Sequence, residues 1–303
     1  MTDTQIPTTD SDSHGFDTSR GRRNRLLIIG GAIVVVVAVI LAVVLWPSSN
    51  SKSANETNGA TLYVVSAEGN AAEQQLINFV AKNVAPKYGI KVAFKGLSDS
   101  TTLNRAVSDG DVAGTIYQHK LWLGQVLQAN PDFKEVAATP VFRWGFGIFS
   151  DKYSSPDQLP DGATVSLYSD PANEAQGLWL LERAGLITIK PGINKWEASS
   201  TDDIATNPKH LKFKLLDFAA QTRALPDLDA TVGYTEYYIA GGVDLSKQIF
   251  APPAPDEFAG QLTIGTRWEK TSNIQNLVKA FQDPAVQDFL RTDPQVKGSL
   301  LPL

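Results

Sequence analysis

The sequence predicts a two-lobed α/β fold preceded by one membrane-spanning helix. Three observations carry this. From residue 61 onward, short apolar strand-like runs alternate with helical stretches. That order lays parallel strands under covering helices. The alternation continues for roughly 240 residues, more than one sheet with a single core usually holds, so two lobes fit better. One uncharged apolar run, Leu26 to Trp46, stands apart from everything after it.

In chain order, Met1 to Arg25 is rich in Thr, Ser and Asp and reads as a disordered cytoplasmic tail in which His14 is solvated. Leu26 to Trp46, residues 26–46, spans roughly 30 Å as a helix, the thickness of a bilayer's hydrocarbon core. It exceeds a signal peptide's apolar region and ends in WPSSNSKS, which favours an uncleaved transmembrane anchor. Arg20, Arg22, Arg23 and Arg25 precede it and only Lys52 follows closely, so the N-terminus is cytoplasmic and the large domain outside. Residues 47–60 have a polar linker's composition.

Folded structure is expected from Thr61. TLYVVSA reads as a buried strand, followed by a helix with Leu76, Ile77, Val80 and Val84 on one face and Gly89 as its stop. IKVAFKGL alternates like a half-buried strand and completes a βαβ unit, which predicts a parallel sheet. A helix around Thr101 to Ser108, a strand at Val112 to Tyr117 and a helix from Gln118 to Gln128 repeat the order. EVAATPVFRWGFGIFS, LPDGATVSLYSD, LKFKLLDF and LDATVGY supply later strands, and the C-terminal helical stretch breaks at Pro284.

The chain has 303 residues, 43% of them hydrophobic, and a net charge of -5 that resides wholly after residue 59. A mildly acidic domain without a Lys/Arg stripe argues against nucleic acid as a partner. Cysteine is absent, which excludes disulfides, thiolate nucleophiles, thiolate metal sites and a lipid on an N-terminal cysteine.

Three stretches could carry chemistry. In SLYSDPANEAQG, Asp170 is placed as an N-cap and Pro171 at the first helical position, with Asn173 in the first turn and Gln176 one turn in. A helix start at a strand end is either ordinary capping or a site for an anion. In SDGDVAGTIYQHKLWL, Tyr117 and His119 fall at a strand's carboxyl end. Residue type alone favours a structural histidine at a helix start. Metal binding is disfavoured, because His210 is the only other histidine of the globular part and lies in solvated-looking NPKHLKFK. No Gly-x-Ser-x-Gly elbow supports a hydrolase. In TVGYTEYYIAGG, Tyr234, Glu236 and Tyr237 follow a buried strand; the aromatics suit a core, whereas Glu236 suits a ligand amine better.

These stretches together resemble the NlpA/MetQ family of substrate-binding proteins of methionine-type ABC importers, from about Thr61 to Leu303. SDGDVAGTIYQHKLWL, LPDGATVSLYSDPANEAQGLWLLERAGLITIK and ATNPKHLKFKLLDF carry the resemblance. It implies a periplasmic-binding-protein-like (type II) clamp with residues 61–147 and 250–303 as lobe one and 148–249 as lobe two. The chain is expected to cross between them near WGFGIF and near GQLTIGTR. It also implies a small-molecule ligand, a permease and ATPase as partners, no cofactor and no catalysis. Tyr117, His119 and Asn173 match the family's cleft residues, whereas its carboxylate-clamping Arg is Gln176 here. Its first-lobe Tyr is Ser100, and its second-lobe Asn-Gly-Asn appears as Tyr234-Thr235-Glu236. The expected protein is an anchored extracytoplasmic receptor for an amino acid such as methionine, a derivative or a short peptide. Its rivals are an anchored hydrolase and a receptor that only senses.

Overall fold

A computed structural model of the chain describes residues 53–67, 70–193, 198 and 200–303. The expected tail, the 26–46 span and the linker up to residue 52 lie outside these residues. Among the described residues no helix is long and apolar enough to cross a membrane.

Strand β1 (Thr61–Ala67) buries Leu62, Val64 and Val65. Helix α1 (Ala71–Phe79) starts at Asn70, whose side chain accepts from the Glu73 N–H. Leu76, Ile77, Val80 and Val84 are fully buried, a gross stabilisation of roughly 6–12 kcal/mol for four such side chains. The helix expected to run on to Gly89 instead widens to a π turn over Val80–Val84 and tightens to a 3-10 turn over Ala85–Tyr88. Pro86 explains the change: it has no N–H, and in a continuing α-helix its ring would strike the Lys82 carbonyl.

Strand β2 (Lys91–Leu97), helix α2 (Ser100–Asp109), strand β3 (Gly114–Gln118), helix α3 (Lys120–Ala129) and strand β4 (Glu135–Trp144) follow. Gly110 ends α2 in the left-handed region at φ +79°, where a Cβ would come within 2.1 Å of the Trp268 ring. The chain then leaves this layer at Gly145. A Cβ on Gly145 would lie 2.3 Å from the Gly298 carbonyl oxygen, so glycine alone fits that passage.

The next elements are β5 (Phe146–Phe149), β6 (Thr164–Tyr168), α4 (Pro171–Arg183), β7 (Thr188–Ile189), β8 (Ile204–Thr206) and β9 (Lys212–Leu216). Then come α5 (Phe218–Ala224), β10 (Thr231–Tyr234), α6 (Thr235–Ala240) and β11 (Gln248–Phe250). Strand β12 (Ala259–Gly265), helices α7 (Ser272–Phe281) and α8 (Pro284–Thr292), and β13 (Leu300–Leu301) close the chain. Pro284 begins α8, consistent with the break read there.

The first sheet has the order β13-β4-β12-β3-β1-β2. Only the β1–β2 and β1–β3 pairings are parallel; β12 enters antiparallel between β3 and β4, so the sheet is mixed rather than parallel throughout. Within this sheet the βαβ signal is local to the first three strands, and the strand that returns from the inserted segment comes in from the opposite end. Strands of the inserted segment pair among themselves: β10-β5-β11 antiparallel, and β6 with β9 parallel. An isolated bridge, Val165 to Ala230, joins β6 to the approach of β10. The chain therefore passes out between β4 and β5 and back between Phe250 and Ala259.

The described part of the stretch read as a polar linker, residues 53–60, is tied to the domain around Asn55, while Glu56 to Gly59 are exposed. Asn55 is 1% exposed and donates to the Val112 carbonyl, while Asn273 Nδ2 donates to the carbonyls of Ala54 and Thr57 at 2.9 Å each. These bonds satisfy the polar groups of a turn that leads into the domain.

Candidate ligand-binding site

A cavity of about 210 Å³ opens where both sets of strands end. Each described lining residue lies at a strand's carboxyl end, in the short connection after it or in the first turn of the following helix. Ligands of α/β folds collect at that place because backbone N–H groups and side chains of several loops converge there.

Of the residues singled out in the sequence, Ser100, Tyr117, His119, Asn173, Tyr234 and Glu236 line this cavity. Gln176 does not. It is 1% exposed and its carboxamide oxygen stands 2.9 Å from the Tyr234 hydroxyl, so it meets the cavity only through that phenol. The anion site expected at the start of α4 is also occupied from within. Asp170 caps the helix, its Oδ1 accepting from Asn173 N at 2.9 Å and from Asn173 Nδ2 at 2.8 Å.

His119 is both the structural histidine and a cavity residue. It caps α3, with Nδ1 accepting the Trp122 N–H at 3.2 Å. Nδ1 is thus unprotonated, and the neutral ring carries its proton on Nε2, which donates to Asn173 Oδ1 at 3.3 Å. Burial pushes its pKa down to about 4, against a smaller opposing effect of the Asn173 bond, so the ring is neutral at pH 7. Neither nitrogen faces a hydroxyl nucleophile. Tyr234 Oη stands 2.5 Å from Asn173 Oδ1 as well as 2.9 Å from Gln176. One phenolic proton cannot serve two acceptors. Tyr234 therefore donates to Asn173, its shorter contact, and with the Gln176 amide turned over Nε2 donates to Tyr234 while Oε1 takes the unpartnered place.

The first sheet's side of the cavity is held by a second network. Tyr117 Oη receives Asn104 Nδ2 and, at 3.4 Å, Trp122 Nε1. Burial raises the Tyr117 phenol well above the usual range. Asp99 caps α2, accepting from Thr102 N at 2.9 Å, and that bond holds its carboxyl low.

Sequence reasoning missed Glu73, Asn70, Trp122, Trp144 and Phe218, all in the lining, which Tyr237 joins. Glu73 was legible: it shares the apolar face of Leu76, Ile77 and Val80, an odd place for a carboxylate. It is 1% exposed, accepts from Ser66 Oγ, and receives Trp144 Nε1 at 3.1 Å. Burial raises its pKa first, the Glu236 carboxyl second. Glu236 is raised mainly by burial, and Asn70 Nδ2 reaches its Oε2 at 3.4 Å. No group of three His, Asp or Glu placed to hold a metal occurs among the described residues. His210 lies away on the surface against Asp161.

Comparison with known proteins gives a consistent result. The family model described as NlpA lipoprotein matches residues 64–303. The probable D-methionine-binding lipoprotein MetQ of Haemophilus influenzae is 31% identical over 71% of this chain and 78% of its own length. Two solved structures cover 80% of the chain at 30% identity. One is an ABC transporter periplasmic substrate-binding protein from Coxiella burnetii, matched over 100% of its length with a TM-score of 0.69. The other is a nutrient binding protein from Burkholderia cenocepacia bound to methionine, matched over 98% with a TM-score of 0.66.

Proposed function

The chain belongs to the NlpA lipoprotein family, and on that premise we propose that it is the extracytoplasmic substrate-binding protein of an ABC importer. It captures a small solute by closing two lobes and presents it to a permease coupled to an ATPase. The lobes are residues 61–147 with 250–303, and 148–249. The run 26–46 anchors the domain, with the N-terminus cytoplasmic.

One observation carries the reading: residues of both sets of strands meet around one half-open cavity. His119 Nε2 reaches Asn173 Oδ1, Asn70 reaches Glu236, and the Trp122 and Phe218 rings meet edge to face at 6.4 Å. All three contacts break if the inserted segment swings away at its two chain passages. The Trp144 and Tyr234 rings also meet across this boundary, at 5.9 Å, so a ligand's own contacts add to those that hold the closed state. Ser100, Tyr117 and His119 supply one wall, Asn173, Tyr234 and Glu236 the other, and Gln176 positions Tyr234. Relatives named for methionine set the size class, an amino acid or a derivative of one.

The test is to extract and identify the solute that copurifies with the full chain, then measure its labelled uptake by cells with and without the gene. The expected result is a solute recovered chemically unchanged, with uptake lost on deletion. Unchanged uptake overturns the transport role, and conversion of the solute by the purified chain overturns the receptor role.

A further inference from the structure

We infer that the cleft takes an organic cation without a free carboxylate, an amine or ammonium whose head lies between Glu73 and Glu236 inside aromatic walls. This rests on the receptor reading above and narrows it to a ligand class. The first support is charge. Glu73, Asp99 and Glu236 line the cavity, and no Lys or Arg occurs among its described lining residues. A bound carboxylate would meet three carboxyl groups and no counter-charge. Glu73 comes from α1 and Glu236 from α6, both line the cavity, and the Glu236 carboxyl disfavours ionisation of Glu73. A cation between them replaces that repulsion by two attractions.

The second support is one unpartnered acceptor. Asn104 Nδ2 donates to the Ser100 carbonyl at 2.8 Å, so Asn104 Oδ1 must accept from Gln118 Nε2, also at 2.8 Å. Both amides are thereby fixed in orientation. Gln118 Oε1 is left in the cavity wall, buried and without a donor. A buried acceptor of this kind calls for a donor-bearing ligand. The third support is the wall itself: Trp122, Trp144, Phe218, Tyr234 and Tyr237 present aromatic surface around the carboxyl pair. The negative faces of such rings attract a desolvated ammonium. The fourth is the loss of any carboxylate clamp. Gln176 is neutral and spent on Tyr234, and the start of α4 is capped by Asp170.

Two matched pairs test this by calorimetry on the full chain in mild detergent: L-methioninamide against L-methionine, and choline against glycine betaine. Within each pair the second compound adds a carboxylate. The expected result is that, in at least one pair, the cation binds at least tenfold more tightly than the zwitterion. Glu236→Gln should cut that preference below threefold, and Glu73→Gln, nearly isosteric, serves as the second variant. Zwitterions binding as well as or better than the cations would overturn the inference and leave the receptor reading standing. Saturable binding of none of the four would overturn the inference alone, because the receptor reading stands or falls with the copurified solute and its uptake. A preference that survives in both variants would overturn the placement of the cationic head.

Discussion

Removal of the Tyr234 hydroxyl tests the network that joins the cavity to the helix beneath it. In Tyr234→Phe the ring keeps its packing against Phe146, whose centroid is 4.9 Å away, while the oxygen disappears. Asn173 keeps its bonds to His119 and Asp170, so the lost donation there costs about 1 kcal/mol. Gln176 loses its recorded side-chain partner in a site 1% exposed, which costs about another 1–2 kcal/mol. The sum, about 2–3 kcal/mol, lowers the urea midpoint by roughly 1 M for an m-value of about 2–3 kcal/mol/M. Gln176→Met removes the stranded amide instead. The double variant should therefore be less destabilised than the sum of the singles, with a coupling of at least about 1 kcal/mol. Urea unfolding of the four proteins at pH 7, followed by tryptophan fluorescence, measures all terms. A Tyr234→Phe cost below about 0.5 kcal/mol, or strict additivity, refutes the single-proton network.

Two further outcomes are expected. Glu135 is 6% exposed with both carboxyl oxygens unpartnered, and burial pushes its pKa up to about 8. Its folded pKa exceeds the unfolded value, so the folded state holds the extra proton and its stability falls as pH rises from about 4.5 through 8. Glu135→Gln should match the parent at pH 4 and exceed it by about 2–4 kcal/mol at pH 9; an equal difference at both pH values in urea unfolding refutes this. Gly110→Ala forces a left-handed alanine, about 1–2 kcal/mol, and drives a methyl into the Trp268 ring for about 1–3 more. Gly59→Ala shares the left-handed backbone at φ +76° with nothing within 4 Å, so thermal melts in which the two variants lose equal stability would sink the ring-contact argument.

Much of the site was legible because strand ends and caps are written locally. Asp170, Pro171 and Asn173 announce a helix start at a strand end, and the structure puts Asn173 in the cavity. His119 was harder, since a capping histidine and a cavity histidine look alike in sequence; here one nitrogen does each task. Gln176 went astray for a geometric reason. It shares a helix face with Asn173 but lies roughly 4.5 Å deeper along the axis, beyond the reach of the strand ends. Glu73 was passed over because an acid in a helix's first turn has an ordinary explanation in the helix dipole.

The sequence by itself determined the α/β alternation, the caps that start helices at strand ends and the family to which the chain belongs. Each follows from neighbours within a few residues or from a pattern spread along the whole chain. Only the tertiary structure decided that β12 returns antiparallel into the first sheet, and that Glu73 and Glu236, 163 positions apart, face one cavity. Pairing of distant strands and the approach of distant carboxyls depend on how two bodies fold together. No local propensity encodes that, and the charge of the pocket, which decides what it can hold, is a property of that meeting.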